Sequence, residues 1–151
     1  MTKLRWSIGG VLALVFAAAT PVFGQEPEGA GRIKVVSGAA FIVRGNATLR
    51  AEPGQTVYEA DALRTGADGS IGVTLKDDTR LSLGPGSEVR LDRFVFSPGS
   101  GSLGMVLKFV RGVAAYVSGR MAKIAPDSIR LETPAAIVGV RGTSLAIRVE
   151  P

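Results

Sequence analysis

Cysteine and histidine are both absent from the 151 residues. Without cysteine there is no disulfide, no thiolate nucleophile and no thiolate metal site; without histidine there is no imidazole ligand, no triad base and no pH switch near neutrality. Serine with lysine is the nucleophile–base pair that remains. Ser118, Lys123 and Ser128 lie near one another in sequence, at no recognised catalytic spacing. Asp77 and Asp78 are adjacent, so on an extended chain they point to opposite faces and cannot oppose each other across a groove. Aromatic residues make up only 6%. These absences exclude most catalytic designs, and neither an enzyme, a cofactor nor a metal site is expected.

Glycine is abundant instead, at 20 residues, with 8 prolines, 46% hydrophobic and 21% charged residues. That balance belongs to a globular, turn-rich chain rather than a disordered one. The length is that of a single domain.

Lys3 and Arg5 precede an uncharged apolar run over residues 8–19, and Thr20-Pro21 ends it. Val22-Phe23-Gly24 follows. This order of basic, apolar and small residues reads as a secretory signal peptide over 1–24, cleaved after Gly24. The run is shorter than the roughly 20 residues of a membrane span, so no stable span is expected after cleavage. Without Lys3 and Arg5 the formal charge falls from +5 to +3. The arginines are spread along the chain with acids between them, and no basic run stands out. Nucleic acid is therefore not an expected partner, whereas a mildly basic exported surface suits an anionic polymer.

Residues 25–32 are polar, with glycine and proline, and read as a flexible lead-in to a domain over 33–150. From there the chain reads as short strands. Ile71, Val73, Leu75, Leu81, Leu83, Val89 and Leu91 all fall on odd positions with polar or small residues between them. A period of two means one buried and one wet face. Further strands are expected at 32–36, 40–44, 47–50, 56–58, 61–65, 95–97, 103–110, 113–118, 129–133, 136–141 and 144–149. Three successive units, 65–75, 76–83 and 84–91, share a turn followed by alternating apolar positions. Such units can stack as rungs. The expected fold is all-β, a short β-solenoid-like or sandwich arrangement of many short strands, with no long helix in the mature chain.

Three segments carry a family resemblance. They are Gly54-Gln-Thr-Val-Tyr58-Glu-Ala-Asp61-Ala-Leu-Arg64-Thr-Gly66-Ala-Asp68-Gly69-Ser70, then Leu75 to Leu91 with Lys76-Asp77-Asp78-Thr79 and Gly84-Pro85-Gly86-Ser87, and finally Thr133-Pro-Ala-Ala-Ile-Val-Gly139-Val-Arg141-Gly142-Thr143. Together they resemble the FecR-like periplasmic domain, over about Ile33 to Val149. In full regulators of that family a cytoplasmic segment holds a sigma factor and the periplasmic domain meets an outer-membrane receptor. The few residues ahead of the apolar run leave no room for the first, so the resemblance implies the exported domain alone. It implies a periplasmic interaction or sensory module, with another envelope protein as partner. A cell-wall glycan or other anionic polymer is the second expected partner, and a self-associating structural subunit the third.

Site residues follow from these segments. Arg141, between two glycines, either clamps a carboxylate or phosphate or ties strand ends to Asp61 or turn carbonyls. Arg64 and Tyr58 are further contact candidates. Asp61, Gly66, Asp68, Gly69, Gly139, Gly142 and Thr143 read as structural motif residues. Asp68, Asp77 and Asp78 suit turn chemistry better than calcium, because the ladder of alternate acids a calcium loop needs is missing. Tyr58, Phe94, Phe96, Phe109 and Tyr116 either form a ligand platform or fill the core.

Overall fold

The computed structural model describes residues 19–140 and 144–150. It is built of strands, with 57% of residues in them and no long helix. In chain order the strands are β1 (Gly29–Ser37), β2 (Ala40–Arg44), β3 (Ala47–Arg50), β4 (Thr56–Tyr58), β5 (Ala62–Thr65), β6 (Ser70–Leu75), β7 (Arg80–Leu83), β8 (Glu88–Ser97) and β9 (Ser102–Val117). One short helix, α1 (Arg120–Ile124), comes next, and β10 (Ile129–Glu132), β11 (Ile137–Gly139) and β12 (Ser144–Val149) follow it.

All twelve strands belong to one sheet that curls on itself as a half-barrel, antiparallel except where β10 runs parallel to β9. Its two layers share β9. One layer runs β4-β1-β6-β7-β9-β12 and the other β3-β2-β5-β8-β9-β10-β11. The alternating positions do what their period dictates: Ile71, Val73, Leu75, Leu81, Leu83, Val89 and Leu91 are all buried. They join Phe109, Leu107, Met105 and Tyr116 of β9 in a single core. Of the three similar units only the first two pair, β6 antiparallel to β7; the third leads into β8, which β9 separates from β7.

Three boundaries differ from the sequence reading. β1 starts at Gly29, so the last part of the expected lead-in is strand. Ala30 there is buried, and Gly31 packs so close that a Cβ would lie 2.8 Å from Leu75 Cα. The expected pieces 89–91 and 95–97 are one strand, β8, carried past Asp92 by a register shift between Leu91 and Arg93. The pieces 103–110 and 113–118 are likewise one strand, β9. Gly112 lies within it at φ 85°, and a Cβ there would be 2.7 Å from Gly86 O. That glycine is where β9 passes from one layer to the other.

Buried polar side chains hold this passage. Ser87 Oγ accepts from Val113 N at 2.8 Å and donates to Val113 O at 2.9 Å. Thr65 Oγ1 accepts from Ser87 N at 2.9 Å and donates to Gly84 O at 2.7 Å. A second group fixes α1, whose five residues are too few to be stable on their own. The buried Asp77 carboxylate accepts from Thr79 Oγ1 at 2.7 Å and Thr79 N at 3.1 Å, and Asp77 O accepts from Arg120 N at 2.6 Å. Met121 then inserts into the core, fully buried.

Candidate functional site

Turn chemistry positions the first cluster. Residues 58–61 form a tight turn with Ala60 at φ 72°, and Asp61, only 1% exposed, closes it by accepting from Tyr58 N at 2.8 Å. A buried carboxylate needs a cation. Arg44, at the end of β2, supplies it bidentately, with Nε to Oδ1 at 2.8 Å and Nη2 to Oδ2 at 2.7 Å. Arg44 also donates to Thr56 O at 3.2 Å and lies over the Tyr58 ring, 4.6 Å from its centroid. The Asp61 carboxylate holds the Arg44 guanidinium above its ordinary pKa, against the partial loss of hydration. This cluster borders an open concavity of about 470 Å³, also lined by Glu26, Pro27 and Glu59. Asp61 is paired here with Arg44, a pairing the sequence reading did not make. The signal lay in β2, where the alternation ends on an arginine.

The expected contact residues do not form one site. Tyr58 stacks on Arg44, whereas Arg64 points outward from the β8 layer, 3.2 Å from Glu88 Oε2. Arg141, Gly142 and Thr143 lie outside the described residues. Gly139 is exposed on β11, with open space where a Cβ would go. Gly66, Asp68 and Gly69 form the turn that nests on residues 38–39. A Cβ on Gly69 would collide with Ala39 O, and Asp68 Oδ1 accepts from Ala39 N at 3.4 Å.

The aromatic platform divides. Phe109 and Tyr116 are fully buried and Phe94 nearly so, all in the core. Phe96 carries the Arg120 guanidinium 4.9 Å above its ring, and Arg120 also pairs with Asp78 at 3.1 Å. Burial pushes the Tyr116 phenol above its ordinary value, the Asp77 charge adds to this, and the hydroxyls of Ser118 and Thr79 oppose it. Ser128 caps a turn, donating to Ala125 O at 2.6 Å. Among the described residues no three acidic side chains converge on a metal-sized site, and no helix is long and apolar enough to cross a membrane.

The sequence reading missed one charged feature. On the outer face of the β8 layer, cross-strand register aligns Arg50, Phe41, Arg64, Glu88 and Arg111 in one row. Arginines that look scattered along the chain thus share a face, because each occupies an outward position of its own strand.

The family model described as FecR protein matches residues 61–151, more than half of the chain. The chain belongs to the FecR protein family. This FecR domain is of a signalling and regulatory type associated with the cell envelope. The match opens at Asp61, the buried residue of the first cluster, and includes β5 to β12. No curated protein and no solved structure matches the chain.

Proposed function

We propose that this FecR domain is an exported, non-enzymatic interaction module of the periplasm, and that it docks an envelope protein along β12. The observation that carries the reading is the state of that strand. β12 pairs with β9 on one side, and among the described residues no strand pairs with the other. Its inward side chains Leu145, Ile147 and Val149 pack against the core and are partly, not fully, buried. An open backbone edge beside a partly wet apolar row is what an added strand completes. Export through the segment 1–24 fits the same picture: Val22 and Phe23 are 92% and 88% exposed, packed against nothing.

The test is site-specific photocrosslinking in cells with a C-terminally tagged chain. A crosslinker at Ala146 should yield one dominant adduct with an envelope protein, and one at Ser82, on the outer face of β7, should not. The processed chain should begin at Gln25 and fractionate with the periplasm. Absence of an adduct at Ala146, or equal adducts at both positions, rejects docking along β12.

A further inference from the structure

The outer face of the β8 layer is a second surface, independent of β12. Its first row sets Arg50, Arg64 and Arg111 on β3, β5 and β9, each two strands from the next. Two strand spacings are about 10 Å, close to the length of an extended disaccharide. The next row aligns Arg90 and Lys108 with Glu132. A third aligns Arg93 and Arg130 across Val106. Cations therefore outnumber acids on this face, and the acids present are already paired. Glu88 Oε2 takes both Arg64 at 3.2 Å and Arg111 at 3.8 Å, Asp92 takes Arg90 at 3.1 Å, and Glu132 takes Arg130 at 3.7 Å. One carboxylate oxygen satisfies only part of two guanidinium forks, leaving further N–H groups for an incoming anion.

Between Arg50 and Arg64 sits Phe41, largely buried but with part of its ring at the surface, an apolar face of the kind that packs against the C–H face of a sugar ring. The surface lies on the outside of a curled sheet, so it is convex. A convex strip suits a flexible chain that follows it better than a flat bilayer. The exposed apolar residues of this layer, Ile137 and Val138, are confined to its edge strand β11.

We infer that this face binds a linear acidic polysaccharide, its carboxylate or phosphate groups falling on successive arginines and a ring stacking on Phe41. The measurement is titration of the full chain with hyaluronate oligosaccharides, which carry one carboxylate per disaccharide, at low and at physiological salt. Dextran, phosphatidylglycerol vesicles and single-stranded DNA oligonucleotides serve as comparison probes. Hyaluronate should bind at low salt and weaken steeply as salt rises, and dextran should not bind. The double variant R50Q/R111Q removes two exposed charges, retains the Arg64–Glu88 pair, and should lose about tenfold in affinity. R80Q/R148Q, on the outer face of the other layer, should retain it. No binding of hyaluronate at low salt overturns the inference, as does equal loss in the two double variants. Tighter binding of vesicles or DNA with the same sensitivity to R50Q/R111Q overturns the polysaccharide assignment. None of these outcomes depends on the β12 crosslinks.

Discussion

Asp61 and Arg44 do not share their interaction equally. Asp61 is buried, whereas Arg44 keeps 39% of its side-chain surface in water. Arg44→Ala would strand a buried carboxylate on one backbone N–H, and it should cost about 3 kcal/mol. Asp61→Ala lets the arginine swing into solvent and loses the turn closure, which should cost nearer 2 kcal/mol. Urea denaturation of both variants reads the difference, and equal losses would contradict the asymmetry. Tyr116 gives a pH signature. Its folded-state pKa is raised above the ordinary value of 10.0 by burial. Both states are protonated below that value, so stability is untouched there. As pH rises from about 10 toward the folded pKa, the unfolded phenol ionises first and stability falls by up to about 1.4 kcal/mol per pH unit. Denaturation midpoints between pH 8 and 11 should show that slope in the parent chain and a shallower one in Tyr116→Phe.

Strand β9 depends on a single glycine at the layer boundary. Gly112→Ala meets both an unfavourable φ and the backbone of Gly86, and should cost about 2–4 kcal/mol or abolish folding. Ser87→Ala removes the hydroxyl that serves Val113 N and should cost about 1–3 kcal/mol. Thermal melts of the two check the order. Strands were legible wherever period two ran unbroken, as in β6 and β7. Strand β9 was not, because Arg111-Gly112 reads as a break when no partner is visible; only the turn residues 84–87, far away in sequence, show that the glycine bends the strand rather than ending it. Helix α1 was illegible for a related reason. Its stability comes from Asp77 and from burial of Met121, not from local propensity.

Across the whole molecule, charge is sorted by the fold. Acids concentrate in turns and loops, at Glu52, Glu59, Asp68, Asp78 and Asp127, while β1, β3, β7 and β12 carry arginine and no acid. A linear reading sees alternating signs and expects cancellation. Folding separates the signs, because strand positions of one parity face outward together and turns gather at the ends. The fold class and most strands could be taken from alternation alone. The basic face could not, since it depends on which strands become neighbours. Arg64 was singled out by its motif, whereas the alignment of Arg50 and Arg111 with it is visible only in the register.

Gly112 has one more effect. Arg111 belongs to the arginine-bearing layer, and Gly112 pairs with Val149 at the end of β12. The two surfaces are thus consecutive residues of one continuous backbone. A strand added to β12 that straightens or tightens β9 moves Arg111 relative to Arg64, and a polymer that draws the arginines together pulls on the edge. If either ligand favours one shape of the strand, thermodynamic reciprocity makes the second ligand's affinity change by the same factor in both directions. A chain tethered to a wall polymer would then carry the tension of that tether in its grip on its protein partner.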